Sequence, residues 1–420
     1  MNKTLSVVLL LLIAFATNIS AQETTSSPYS FYGIGDIKFK GAQENRAMGG
    51  VAVFKDSLHL NFQNPASYSH LAITSFSIAG SHKVTSFKET NMKDNAHRTT
   101  VDYLAVGLPM GKFGVAFGLM PYSSVGYKIS NSFVNEEGLN SVDRFSGEGG
   151  VNKVFAGVGY SLSPSFSIGA DLGYNFGTIS TKSLEFISGV QYGSRETSET
   201  TVSGFMANFG AMYNKKLGEK YHIYASVAYS PENTLKLENE SSIAIVQFIS
   251  DDVESVIDVE DTRSGSKKIK NPSKFSFGLG FGEDKKFGVG TQLTLSQSNS
   301  FGNRFDDLTN ADFEDGMKIG VGGFYIPKYN SFTSYFSRVV YRAGFNYEKT
   351  GMVINNQNIN DYAVTFGIGL PMMGTFSNVN IGAELGSRGT TKSNLVKENY
   401  FNIMISLSLN DRWFVRSKYH

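Results

Sequence analysis

From Leu71 to Asn410 the sequence runs through fourteen segments in which apolar and polar residues alternate, and the links between them are unequal on the two sides. After even-numbered segments the links are tight: Pro109 to Lys112, Ser161 to Pro164, Lys216 to Glu219, Glu283 to Lys285 and Met372 to Thr375. On that side only Pro327 to Ser337 is longer. After odd-numbered segments the links are mostly longer and polar, and the longest runs from about Asn239 to Asn271. Side chains alternate across a strand, so each segment has two faces. In the last one Phe401, Ile403, Ile405, Leu407 and Leu409 share one face, and Asn402, Met404, Ser406, Ser408 and Asn410 the other. A soluble sheet protein has no reason to gather its long links on one side. A barrel that crosses an outer membrane does, with short periplasmic turns and long outer loops. The pattern predicts an all-β fold: a transmembrane, antiparallel, up-and-down barrel of 14 strands with both termini in the periplasm.

The strands are expected near 71–86, 98–110, 112–128, 143–162, 164–186, 196–216 and 220–238, then 272–283, 285–298, 315–327, 336–350, 358–372, 376–389 and 397–410. A soluble β-sandwich would carry more Lys and Glu on its outer face than these segments do, since charged residues are rarely buried and crowd the solvated side. The 44 glycines, 33 phenylalanines and 21 tyrosines also suit a turn-rich β-protein better than a helical enzyme. Several glycines fall on the predicted inner face, for example Gly278, Gly280 and Gly282. Glycine weakens a strand unless another backbone comes close, so a plug against the wall is expected.

The ends divide the chain further. Residues 1–21 read as a signal peptide, with Lys3, an apolar run from Leu5 to Ala16 and a small residue at Ala21. Residues 22–70 do not alternate and are punctuated by Gly and Pro, which predicts an N-terminal hatch or plug. Residues 71–410 form the barrel, and 411–420 a basic, aromatic periplasmic tail. No cysteine is present, so neither a disulfide framework nor a thiolate metal site is available. The formal net charge of +1 gives no field that would recruit nucleic acid.

No catalytic or metal constellation stands out. His59, His70, His82, His97, His222 and His420 show no ligand spacing, and no G-x-S-x-G elbow occurs. The chain is therefore read as a non-enzyme without cofactor or metal. Gly33–Gly35 reads as a turn, and Asp251 to Asp261 as a solvated external loop. Parity places Asp171, Arg342 and Glu384 on the inner face, with Arg388 nearer the rim. These charges are expected to pair with one another or with plug residues such as Glu44 and Arg46, because lumenal charge clamps a plug or tunes permeation. Pro121 interrupts the third strand; proline removes a ladder donor, so a kink and an opening in the wall are expected there.

The plug carries RAMGGVAV, from Arg46 to Val53 and including Gly49 and Gly50, followed by Asn64-Pro65-Ala66 just before the first strand. Together with the strand count and Pro121, this resembles the FadL-type family of outer-membrane transport proteins for long-chain fatty acids and other hydrophobic compounds. SPYSFYGIGD and the C-terminal LNDRWFVRSKYH resemble members of that family from Bacteroidetes. The resemblance implies passive uptake of a small, fatty-acid-like hydrophobic molecule into the outer-membrane lipid. Arg46, Gly49, Gly50, Asn64, Pro65 and Ala66 would then form the gating hatch, and Pro121 the lateral exit. It implies an alternative as well: a non-conducting barrel of the same fold, acting as accessory subunit of an envelope secretion or barrel-assembly complex, with periplasmic or outer-membrane protein partners held by the C-terminal tail.

Overall fold

A computed structural model describes residues 25–89, 92–135, 138–187, 189–250, 253–304 and 310–411. The expected signal peptide and almost all of the expected tail lie outside them. A short plug strand, β1 (Asp36–Ile37), precedes the wall. The wall begins with β2 (Thr74–Lys88), β3 (Lys93–Met110), β4 (Phe113–Val134), β5 (Asn140–Ser161), β6 (Phe166–Ile187), β7 (Tyr192–Leu217) and β8 (Tyr221–Ser230). A hairpin of β9 (Asn233–Ser250) and β10 (Val253–Asn271) follows. The wall resumes with β11 (Lys274–Glu283), β12 (Phe287–Ser296), a three-residue β13 (Ala311–Phe313), β14 (Gly316–Tyr325), β15 (Val340–Ile354), β16 (Gln357–Pro371), β17 (Asn378–Arg388) and β18 (Lys397–Asp411).

Neighbouring wall strands pair antiparallel, and β18 closes on β2 from Lys397↔Lys88 to Asp411↔Thr74. Without β1, β9, β10 and β13 the closed wall has fourteen strands. Closure satisfies the backbone groups that lipid cannot, and this is what lets strands cross a membrane. The outer face bears exposed Phe117, Val158, Leu172, Phe209, Leu279, Phe366 and Ile405. Beside the tight turns it carries Phe113, Tyr213, Tyr221, Phe281, Tyr325 and Tyr341, all exposed. Such a ring marks the headgroup level at the periplasmic end.

The Asn239–Asn271 region is not a loop. It forms most of the β9–β10 hairpin, and β9 pairs with the outer part of β7, from Tyr192↔Gln247 to Ser203↔Lys236. The exposed side chains of the hairpin are mostly polar, among them Thr234, Lys236, Glu238, Glu240, Arg263 and Lys268, with Val256, Ile257 and Val259 the apolar exceptions, so no regular apolar stripe marks these strands in the sequence. β8 also stops at Ser230 rather than near residue 238, because Pro231 follows and cannot donate to a ladder.

The plug fills the periplasmic half of the lumen, with backbone against backbone. A Cβ added at Gly344 of β15 would lie 2.3 Å from Gly49 N and Met48 C; at Gly320 and Gly322 of β14 it would meet Gly49 O at 2.3 Å and Met48 O at 2.2 Å. Across the lumen Gly159 of β5 and Gly169 of β6 lie under Pro65, with contacts of 2.8 and 2.5 Å, and Gly210 of β7 under the Asn64 side chain. Only hydrogen fits between the two backbones at these positions. Gly344→Ala and Gly169→Ala are each expected to destabilise the barrel by about 1–3 kcal/mol through overpacking. Gly265→Ala, at a position with open space around it, serves as the control and should be near neutral. Heat-induced mobility shifts on semi-native gels measure all three.

Candidate functional site: the hatch and its attachment to the wall

Within the hatch one helical turn spans Gln43–Arg46. Gly49 (φ 66°) and Gly50 (φ 87°) then reverse the chain in the left-handed region, where a β-carbon is disfavoured. The reversal lets Gly50 N donate to Asn45 O (2.9 Å) and turns Gly49 N toward Thr365 Oγ1 on β16 (3.0 Å). Thr365 Oγ1 donates in turn to Ala47 O (3.1 Å).

Arg46 reaches the wall at Glu384 of β17, with Nη2 2.7 Å and Nε 3.0 Å from Oε2. Beside it Glu44 Oε1 accepts from Asn380 Nδ2 (2.6 Å) and Ser406 Oγ (2.9 Å), and Arg342 Nη1 donates to Asn380 Oδ1 (3.0 Å). Thus two neighbouring groups hold the helical turn to β15–β18: Arg46 with Glu384, and Glu44 with Asn380 and Ser406, where Arg342 joins through Asn380.

Asn64 works at the opposite wall. Its extended backbone precedes proline, the conformation that a following proline favours. Its Oδ1 caps the Pro65–His70 turn by accepting from Ala66 N (3.0 Å). Its Nδ2 donates to Ala211 O on β7 and Val227 O on β8, each at 3.1 Å. Ala66 is fully buried, and its backbone nitrogen lies close to Gly169. Asp171 is buried nearby against Lys153 (3.4 Å) and accepts from Asn208 Nδ2 (3.0 Å). Asp171 therefore joins neither Arg342 nor Glu384.

Pro121 lies where the wall changes partners. The β3–β4 ladder ends at Leu104↔Leu119, and the β4–β5 register slips between Pro121 and Ser123. Above that point β4 pairs with the plug strand instead, through Asp36↔Ser124 and Ile37↔Ser123. Lys38 N donates to Tyr122 O (3.0 Å), Ser123 Oγ to Ile34 O (2.8 Å) and Gly126 N to Ser30 Oγ (3.1 Å). Residues 30–38 thus line the inner side of the seam that opens between β3 and β4.

Between hatch and outer mouth lies a cavity of about 360 Å³. Lys38, Lys40, Arg46, Lys83, Lys274, Lys318 and Arg388 line it, with Asp36, Asp102, Glu348, Asp361, Glu384 and Glu398. Arg388 pairs with Asp36 (2.6 Å), and Ser27 Oγ donates to the fully buried Glu398. Sequence reasoning singled out neither Asp36 nor Glu398. Glu398 shares the parity of Asn402 and Met404, a signal that was available. Asp36 carried none, because its strand exists only through pairing with β4. Burial opposes ionisation of Asp36, yet Arg388 and Lys38 hold its carboxyl well below the ordinary carboxylate range. Burial pushes the Lys40 ammonium down to about 7.

The hatch turn after Phe54 is fastened by His59 Nδ1 and Asp56 Oδ2, 2.8 Å apart. Burial disfavours the imidazolium, but the Asp56 carboxylate outweighs it and raises the His59 pKa above its ordinary 6.5. Burial likewise opposes ionisation of Asp56, but His59 and the Leu58 and His59 backbone N–H groups lower its pKa below the ordinary 3.8. The His59 contribution to stability is full below 6.5 and fades as pH rises through the raised value. That of Asp56 is full above 3.8 and fades in stronger acid. Hydrogen exchange of the 55–62 peptide, corrected for intrinsic rate, should therefore quicken on going to alkaline pH. His59→Ala should abolish that dependence.

Several solved structures share this arrangement. The Pseudomonas putida toluene transporter TodX is 16% identical, covers 90% of this chain and 100% of its own, and has a TM-score of 0.60. The Ralstonia pickettii toluene transporter TbuX gives 14% identity, 89% and 99% coverage and 0.60. A Pseudomonas aeruginosa FadL homologue gives 11%, 90% and 98%, and 0.57. At such identities the likeness is one of fold: an outer-membrane barrel of FadL type. No curated protein matches the chain. One family model, BamG, matches residues 1–420. With a match over its whole length, this chain belongs to the BamG family.

Proposed function

We propose that this protein is a plugged, non-conducting barrel of the outer membrane that serves as an accessory subunit of an envelope secretion or barrel-assembly complex. The observation that carries the reading is the attachment of the hatch. Its backbone rests on wall glycines of β5, β6, β14 and β15, and Arg46, Glu44 and Asn64 tie it to opposite walls. Freeing it would strip the buried Glu384 carboxylate of its partner, an expensive step in a site closed to bulk water. The residual cavity argues the same way. Pockets for apolar ligands are lined mainly by hydrophobic and aromatic side chains with a few polar groups. This one mixes Phe39, Phe301, Phe313, Met317 and Met352 with many charged side chains, lysines, arginines and carboxylates, far more than a few polar groups.

In this reading Arg46, Gly49, Gly50, Asn64, Pro65 and Ala66 keep the hatch shut, and Asp171, Arg342 and Glu384 hold its seat. The basic, aromatic sequence Asp411 to His420 belongs to the partner-binding side. The resemblance of SPYSFYGIGD to Bacteroidetes proteins fits the same proposal.

A second reading, passive uptake of a small hydrophobic molecule, is favoured by one feature. The β3–β4 seam beside Pro121 lies where a lateral exit into lipid would be needed. TodX and TbuX are toluene transporters, and the shared fold makes the same class of cargo worth testing here.

Two measurements separate the readings. Isolated in mild detergent from its native membrane, the protein should bring stoichiometric envelope proteins, and the barrel alone should carry no steady current in planar bilayers. Arg46→Ala should introduce current by loosening the hatch. A lone barrel with a bound apolar molecule would sink the accessory reading and support uptake. Deleting Asp411 to His420 should release the partner and leave the barrel folded.

A further inference from the structure

The tight-turn end of the barrel has one exception, the link from β14 to β15. Its tip bears Phe332, fully exposed, and Phe336, 73% exposed. The loop is held in shape. Ile326 N donates to Lys286 O (2.6 Å) and Lys328 N to Ser337 O (2.7 Å), while Ile326 and Val339 are buried at the stem. The neighbouring turn between β16 and β17 adds exposed Met373 and Phe376, and Asn410 Nδ2 fastens it by donating to Phe376 O (3.0 Å). Two adjacent turns therefore present a fixed apolar patch. Water gives no reason to hold two phenylalanines in the open.

Lipid is one candidate occupant, since aromatic side chains favour the membrane interface. The stem argues otherwise. Tyr325 and Tyr341 pair at the last rung of the β14–β15 ladder and belong to the aromatic ring of the wall. The Lys328–Ser337 bond continues the hairpin beyond that rung, carrying the tip past the headgroup ring. The charges then say what kind of surface meets it. Residues 326–339 contain Lys328 and Arg338 and no carboxylate; the adjoining β11–β12 turn carries Glu283 and Asp284 with Lys285 and Lys286, so the two turns together remain net positive. Lys285 lies over the Tyr329 ring (5.0 Å) and Arg338 over that of Tyr335 (5.4 Å), so cations border the apolar tip.

We infer that this loop is the docking face for a periplasmic protein, whose apolar socket receives Phe332 and Phe336 and whose rim is acidic. The inference rests on the accessory-subunit reading and names the surface through which it works. Aromatic anchors in a polar rim are the side chains that dominate protein interfaces.

The natural absence of cysteine allows a single polarity-sensitive label at Phe332→Cys. In nanodiscs of phosphatidylethanolamine and phosphatidylglycerol holding the barrel alone, aqueous iodide should quench the label freely. In native outer membranes the quenching should fall several-fold. Phe332→Asp with Phe336→Asp should lose the stoichiometric acidic partner that wild type retains in mild detergent, while the barrel keeps its heat-modifiable mobility. A label shielded in the nanodiscs would make the loop a lipid anchor and overturn the assignment, as would equal quenching in both settings. If the double variant keeps the partner, the docking assignment alone falls. If wild type brings no partner, the accessory reading falls with it.

Discussion

The contact on which the rest of this structure depends is the meeting of two backbones without side chains between them. A barrel of fourteen strands encloses more space than its own inward side chains fill, and the lumen must be occupied or wet. Here the first half of the hatch, around Met48 and Gly49, lies against β14 and β15, and the second half, around Pro65, against β5 and β6. Glycine usually weakens a strand. In a wall buried on one side by lipid and on the other by a plug, it removes the bulk that would hold the plug away.

Once the backbones are that close, polar groups on both surfaces leave water and must find each other. Arg46 with Glu384, Glu44 with Asn380 and Ser406, and Asn64 with the carbonyls of β7 and β8 answer that demand. Such pairs add little net stability over apolar packing, but they are costly to break singly. They suit a plug that stays in place better than one that cycles. The same chemistry leaves a charged remainder of the lumen, with Lys40 and Lys274 making neither ion pair nor hydrogen bond among the described residues.

Strand parity made much of this readable. Alternation alone put Asp171, Arg342 and Glu384 inside, and the structure finds each of them buried. Of the β11 glycines, Gly278 and Gly280 do face the plug, against the Val53 and Phe54 side chains rather than its backbone, whereas Gly282 lies against β12. Parity failed where its physical basis lapsed. The exposed side chains of the β9–β10 hairpin are mostly polar, so no regular apolar stripe marks it. Asp102 sits at a bulge between Ala79↔Tyr103 and Gly80↔Val101, where a slipped register breaks the two-residue count. β1 is two residues long and is a strand only because the wall offers it an edge.

The sequence by itself determined that this chain is a closed, membrane-crossing barrel with something packed inside it. The two-residue alternation and the side on which the short turns lie are local properties, and both are written in neighbouring residues. Which wall residue each hatch residue holds was decided only in three dimensions. Arg46 and Glu384 are 338 positions apart, and Asn64 reaches carbonyls 147 and 163 positions away. Those pairings follow from strand stagger and barrel closure, which no local pattern encodes. The same holds for the seam beside Pro121. Proline foretold a missing hydrogen bond, but the plug strand that takes up the freed edge arrives there through the fold of the hatch.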